Sequence, residues 1–218
     1  MFRYPRLFGT FTLLALLAAC GSRERPAPPP RDSTATVPVR QTAQCLADLR
    51  GMNVAYRVLP DKDYGNGCGL SGAVQLVEIG VPVTGLGAVR CGEARAFSAW
   101  VRNAVAPAAY QILGSELASV QSMGSYACRN VVGSVRNADR RSGHAVANAV
   151  DIGGVTLKDG RRIGVLRDWA SPDPQVQRFW TTIHDSACRR FGTVLSPAYN
   201  AAHRDHLHLE DDGARLCR

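Results

Sequence analysis

His203-Arg204-Asp205-His206-Leu207-His208-Leu209-Glu210 places three of the chain's five histidines within six residues. Leu207 to Glu210 reads as a final strand, and residues two apart on a strand face the same side. His206 and His208 therefore share a face, so one can bind a metal ion while its neighbour reaches a water or a substrate. A second stretch lies upstream, Ser142-Gly143-His144-Ala145-Val146-Ala147-Asn148-Ala149-Val150-Asp151. His144 and Asp151 are too far apart for one helical face, but a loop running into a strand that begins at Asp151 could join them. A histidine, a carboxylate and a further histidine are ligand types that suit a catalytic zinc ion with one open position. Of the five histidines only His184 stands outside the two stretches.

The elements around these stretches follow from periodicity and turn residues. Cys45 to Leu49 suits a short helix ended by Gly51, and Val54 to Leu59 suits a strand. Residues 60–73 read as a turn-rich loop carrying Cys68, and Val74 to Ile79 alternates as a strand should. From Glu93 to about Leu113 the spacing turns helical, with Ala96, Phe97, Trp100, Val101, Ala104 and Val105 on one face and a kink or break at Pro107. Trp100 and Tyr110 read as core packing. Leu117 to Met123 and Asp151 to Leu157 read as strands. Lys158-Asp159-Gly160 is a hairpin signal after which Ile163 to Leu166 should pair back. Ser171-Pro172-Asp173-Pro174 caps a helix over about 174–191, with Val176, Phe179, Trp180, Ile183, Ala187 and Cys188 inside and Gly192 at its end. His184 on this helix reads as a partly buried histidine. The sum is an α+β fold, a small antiparallel sheet with flanking helices.

The N-terminal region belongs to a different class. Arg3 and Arg6 precede the apolar run Leu13-Leu14-Ala15-Leu16-Leu17, which ends in Leu17-Ala18-Ala19-Cys20. That order is a secretory signal over residues 1–19, too short for a stable membrane span. Its last four residues resemble a bacterial lipobox, which implies lipid attachment at Cys20. Several acyl chains hold firmly, at about 0.8 kcal/mol per buried CH₂. Residues 20–43, with Pro26, Pro28, Pro29, Pro30 and Pro38, read as an extended tether without secondary structure. Residues 44–218 are then one folded domain, within what 218 residues with 45% hydrophobic side chains can bury. Gly21 and Ser22 lack an aspartate retention signal, which favours the outer membrane, with the domain facing the periplasm.

Apart from Cys20, six cysteines remain: Cys45, Cys68, Cys91, Cys128, Cys188 and Cys217. In an exported chain an even number reads as disulfides, here three, with the pairing open. None are spaced as paired zinc thiolates. The net charge of +8 loses two with Arg3 and Arg6, and the remaining excess can attract anionic envelope polymers. Nucleic acid is excluded as a partner by export and by the scatter of the arginines.

The two histidine stretches also carry a resemblance. Ser142 to Asp151 resembles the Ser-x-His-x-x-Gly-x-Ala-x-Asp motif of the LAS metallopeptidases (lysostaphin, D-Ala-D-Ala peptidases and hedgehog). His203-x-x-His206-x-His208 is similar to the tail motif of penicillin-insensitive murein endopeptidases in that group. More closely, the run from about Cys45 to Glu210 resembles the bacterial extensin-like C-terminal domain family. That match is carried by Ser125-Tyr126-Ala127-Cys128-Arg129, by the His144 to Asp151 stretch, and by Tyr199-Asn200-Ala201-Ala202-His203-Arg204-Asp205-His206-Leu207-His208. The resemblance implies a LAS/hedgehog-like, disulfide-stabilised fold and one zinc ion held by His144, Asp151 and His208. It implies His206 as the assisting base, with His203 nearby.

Two departures bear on those roles. Ala147 stands where the peptidases carry glycine. Asp205 occupies the slot of the glutamate base of the D-Ala-D-Ala peptidases; it is shorter and on a strand would face away from His208, so it is expected to steady a ligand imidazole instead. Arg129 resembles the substrate-binding arginine of those enzymes, at a different spacing. Ser142 is expected to bond within its loop.

The expected function is zinc-dependent hydrolysis of peptide bonds in peptidoglycan stems or cross-links, as an endopeptidase or carboxypeptidase of the cell envelope. The alternative is a non-catalytic, zinc-containing envelope or wall-binding lipoprotein. A disulfide-rich structural lipoprotein without metal is the third reading.

Overall fold

The computed structural model describes Met1 and residues 39–218. The expected signal segment, Cys20 and the tether up to residue 38 lie outside the described residues.

The described chain opens with α1 (Val39–Gly51), whose buried residues Cys45 and Leu49 lie one turn apart. The helix thus begins inside the segment expected to be extended tether. Next come β1 (Ala55–Val58), β2 (Lys62–Gly65), β3 (Cys68–Leu70), β4 (Ala73–Glu78), β5 (Val83–Thr84) and β6 (Ala88–Arg90). Residues 60–73 therefore hold a two-stranded hairpin rather than a loop alone. Asn66 and Gly67 join β2 to β3, both left-handed at φ 51° and 73°. That is the backbone a tight hairpin turn requires, and Asn-Gly provides it without strain.

The helical stretch is α2 (Cys91–Trp100), a wider π turn over Val101–Val105, and α3 (Ala106–Leu113). Pro107 cannot donate a backbone hydrogen bond, and its ring crowds the preceding turn. The helix accommodates it by widening, with the Ala106 N–H reaching back five residues to the Val101 carbonyl. Trp100 is fully buried and donates from its indole nitrogen to the Ile183 carbonyl at 3.0 Å. Tyr110, expected in the core, is 64% exposed, because α3 turns Ala108, Ala109 and Leu113 inward.

The remaining elements are β7 (Leu117–Gly124), β8 (Ala149–Leu157), β9 (Arg162–Gly164), α4 (Val165–Asp168), α5 (Pro174–Arg190), β10 (Thr193–Leu195), β11 (Leu207–Glu210) and β12 (Leu216–Cys217). Asp151 is the third residue of β8 rather than its first. The Asp159-Gly160 turn leads into β9 as expected, but pairing stops at Gly164 and the chain coils into α4. Asp173 caps α5 by accepting from the Gln175 N–H at 2.8 Å, with Pro174 in the first turn. Val176, Phe179, Trp180, Ile183 and Ala187 form its buried face.

The main sheet runs β12-β10-β11-β8-β7-β5, with β9 also on β8. Its centre is antiparallel, while β12 on β10 and β5 on β7 add parallel pairs at the ends. β1-β4-β6 is a second, three-stranded antiparallel sheet. The architecture is α+β. All six cysteines among the described residues pair: Cys45–Cys91, Cys68–Cys128 and Cys188–Cys217. Among the described residues no helix is long and apolar enough to cross a membrane.

Candidate metal centre

The strand register brings the two histidine stretches together. β8 and β11 are antiparallel neighbours in which Asp151 stands directly opposite His208. Residues so paired present their side chains to the same face. Leu207 and Leu209, on the other face of β11, are fully buried in the core. The Leu-x-Leu alternation thus anchors the strand and sends His208 and Glu210 the other way.

His144 arrives from a turn of 3₁₀ helix, Gly143–Val146. Ser142 caps this turn, its Oγ accepting from the His144 N–H at 3.3 Å. Ala147 closes it in the left-handed region, φ 55°, with its N–H donating to the His144 carbonyl at 3.1 Å. Alanine there holds a conformation that glycine enters without steric penalty. The Ala127 N–H donates to the same His144 carbonyl at 3.1 Å, and Cys68–Cys128 pins the adjacent chain.

Three side chains that could ligate a metal converge. His208 Nδ1 is 2.8 Å from Asp151 Oδ1, His144 Nε2 is 3.1 Å from Asp151 Oδ2, and the two ring nitrogens are 3.2 Å apart. Tetrahedral zinc, with bonds of about 2.0–2.1 Å, separates its ligand atoms by about 3.3 Å. Two imidazole nitrogens facing each other at that range need a proton or a cation between them. The donor set and its spacing therefore fit a zinc ion. His144 and His208 are buried, and Asp151, 9% exposed, lies at the edge of burial.

The surrounding groups fix these rings. His208 Nε2 lies 2.8 Å from Glu210 Oε1. The Glu210 carboxylate also accepts from the Gly143 N–H, and a Cβ on Gly143 would lie 2.5 Å from its Cδ. Gly143 is thus required by Glu210, and Glu210, by engaging Nε2, leaves His208 Nδ1 turned toward His144 and Asp151. Burial opposes charge on His208, but hydrogen bonds to Asp151 and Glu210 outweigh it and raise the imidazole to about 10 in the metal-free protein. Burial also opposes ionisation of Asp151; the hydrogen bonds from His144 and His208 outweigh it and hold the carboxyl far below its usual range.

His206 sits just before β11, its Nε2 3.6 Å from Asp151 Oδ1 and its Nδ1 2.9 Å from Asp205 Oδ1. Asp205 therefore steadies the neighbouring histidine, and not the imidazole of His144 or His208 as expected. His203 stacks near both, with ring centroids 5.2 Å from His206 and 5.8 Å from His208. Its Nδ1 lies 2.7 Å from Asn200 Oδ1. Burial first, then the charges of His208 and His206, push His203 down to about 4. Arg129 is half-buried, hydrogen-bonds the Asn130 carbonyl at 3.3 Å, and its charge also acts against protonation of His203. His184 lies elsewhere, with Nε2 3.8 and 4.0 Å from the bridged sulfurs of Cys188 and Cys217.

Glu210, Asn200 and Gly143 also belong to the site, beyond the residues expected from the sequence. Glu210 was signalled by the same two-residue alternation that aligns His206 with His208.

The fold and site define a class: a disulfide-held α+β domain that presents a His-Asp-His group on a sheet face, beside a carboxylate-steadied histidine. The family model for the extensin-like protein C-terminus matches residues 43–218, and the chain belongs to that family. No curated protein and no solved structure matches the chain.

Proposed function

We propose that the chain is a zinc-dependent peptidase of the cell envelope, kin to the LAS metallopeptidases, acting on the peptide stems or cross-links of peptidoglycan. The observation that carries this reading is the convergence of His144 Nε2, Asp151 and His208 Nδ1 at 2.8–3.2 Å, with His206 beside them. His144, Asp151 and His208 would hold the ion, which supplies Lewis acidity and makes a water nucleophilic near neutral pH.

The chain's own groups do the rest. Asp205 accepts at His206 Nδ1, which leaves Nε2, the atom facing Asp151, free to take a proton from the attacking water and return it to the leaving amine. Glu210 keeps the His208 ring in place through that exchange. Arg129 offers a cation for a substrate carboxylate or a developing oxyanion. His203, held neutral by burial and by its charged neighbours, can accept a hydrogen bond from substrate.

The envelope location rests on the residue order of 1–19 and on Cys20, with the paired cysteines fitting an oxidising compartment. The outer membrane is the proposed anchor site.

The test is to load purified protein with zinc, measure stoichiometry, and incubate it with peptidoglycan sacculi beside His206→Ala. Wild type should bind one zinc per chain and release muropeptides that the variant does not. One zinc with no release would favour the binding-module alternative; no zinc would overturn both.

A further inference from the structure

Arg90 ends β6 and directly precedes α2, its N–H donating to the Ala147 carbonyl at 2.7 Å. Its guanidinium is unusual. Nε is buried without a hydrogen-bond partner, while the residue as a whole is half-buried. Arginine carries five donors in a rigid fork and is charged at any ordinary pH. Buried charges are as a rule paired, because leaving one unpaired forfeits its hydration without return. Burial indeed depresses the Arg90 pKa.

Arg90 lines a cavity of about 320 Å³ together with the β2–β3 hairpin and Val146 of the 3₁₀ turn that carries His144. Lys62, Asp63, Leu70 and Val146 line it as well, with the backbone of the glycine-rich hairpin; none of the three metal-ligating residues does. The volume is that of a small-ligand site. Lys62 Nζ sits 5.1 Å from the centre of the Tyr64 ring. Asp63 Oδ1 accepts from the Gly65 N–H at 2.7 Å, so that carboxylate is engaged within the turn. Arg90 and Lys62 against Asp63 leave the cavity one positive charge in excess.

We infer that this cavity is an anion-binding site, separate from the metal centre, that takes a single carboxylate on the Arg90 guanidinium. One excess charge suits a monoanion better than a phosphate dianion. A planar carboxylate also matches the guanidinium fork. Leu70 and Val146 supply apolar walls for a short side chain, so the ligand is an amino-acid-sized carboxylate or the C-terminus of a peptide. The site stands on Arg90 and its cavity whether or not the metal reading holds.

The test uses the arginine Nε–H signals of ¹⁵N-labelled protein, in both zinc-free and zinc-loaded forms. The probes are N-acetylalanine, N-acetyl-trialanine, the corresponding amides, and inorganic phosphate. Both acids should shift the Arg90 signal and bind about ten-fold or more tightly than their amides, the usual worth of a hydrogen bond to a charged partner. Tighter binding of the tripeptide acid would make a chain end the ligand; equal binding would make it the single carboxylated unit. Arg90→Met keeps the bulk and removes the charge. It should abolish the acid–amide difference while the melting temperature stays level or rises, and Lys62→Ala should weaken the acids several-fold. The inference is overturned if acids and amides bind alike, if phosphate binds more tightly than the acids, or if Arg90→Met binds as wild type. Should Arg90→Met fail to fold, unchanged acid binding in Lys62→Ala overturns it instead.

Discussion

Asp151 and His208 are cross-strand partners on β8 and β11, and their side chains meet at 2.8 Å on the face turned away from the core. The pairing ties two of the three candidate ligands to the centre of the main sheet, while His144 comes from a 3₁₀ turn capped by Ser142. A site built on strands keeps its ligand geometry without the ion, so metal binding here should not be coupled to folding of the whole domain.

Zinc and a proton compete for His208 Nδ1. With the folded metal-free value near 10, against 6.5 for an unperturbed imidazole, the raised pKa adds stability to the metal-free fold. That contribution is fully present below about pH 6.5 and is lost as pH rises through about 10. Zinc binding at pH 7 should therefore release a proton. Calorimetry in buffers of different ionisation enthalpy should show this release, and apparent affinity should climb with pH across 6.5–9. Asp151→Asn should lower affinity by more than the roughly 10–100-fold that loss of an orienting partner costs.

Glu210 is that orienting partner. Glu210→Gln keeps an acceptor at Oε1 but removes the charge, and should weaken zinc binding by about 10–100-fold in chelator competition. Gly143→Ala drives a methyl group into the same carboxylate and should do likewise through a different atom. Circular dichroism of both variants should match wild type. If zinc affinity is unchanged in both, Glu210 has no positioning role.

The part of this site that sequence made visible was periodic. Alternation along Leu207 to Glu210 aligned His206 with His208, and three- and four-residue spacing found the inner faces of α2 and α5. What it hid was set by tertiary partners. The β2–β3 hairpin was obscured because every residue of β2 is exposed, which leaves no alternating burial to read despite the Asn66-Gly67 turn. Asp205 was matched to the wrong imidazole because its partner depends on where β11 begins. Tyr110 sits on a helix whose inward face is mostly alanine, so an aromatic there looked like core. The cysteine count was readable, whereas the pairing depended on α1 meeting α2, the hairpin meeting residue 128, and α5 meeting β12.

His206 and Asp205 should separate chemistry from metal binding. His206→Ala leaves the three candidate ligands intact, so zinc stoichiometry should hold at one. Muropeptide release should fall by about 10²–10⁴-fold, the range for loss of a positioned general base. Asp205→Asn retains an acceptor but loses the charge that stabilises the imidazolium, and should lie between wild type and His206→Ala.

Glu93 gives a stability test independent of activity. Its side chain is fully buried on α2; Oε2 accepts from the Asp211 N–H at 2.7 Å, while Oε1 has no partner. Burial first, then the charge of Asp211, raises its pKa well above the usual 4.5. A carboxyl whose folded pKa is raised favours the fold fully below its ordinary pKa and loses that contribution as pH rises toward the folded value, at up to about 1.4 kcal/mol per pH unit. Glu93→Gln cannot ionise and keeps an acceptor for the Asp211 N–H. Urea unfolding should find it more stable than wild type at pH 8, by roughly 1–3 kcal/mol, the penalty for an unsatisfied buried polar group, and nearly equal at pH 4. A variant less stable than wild type at pH 8 would mean that the ionised carboxylate is held by its surroundings and supports the fold beneath Glu210.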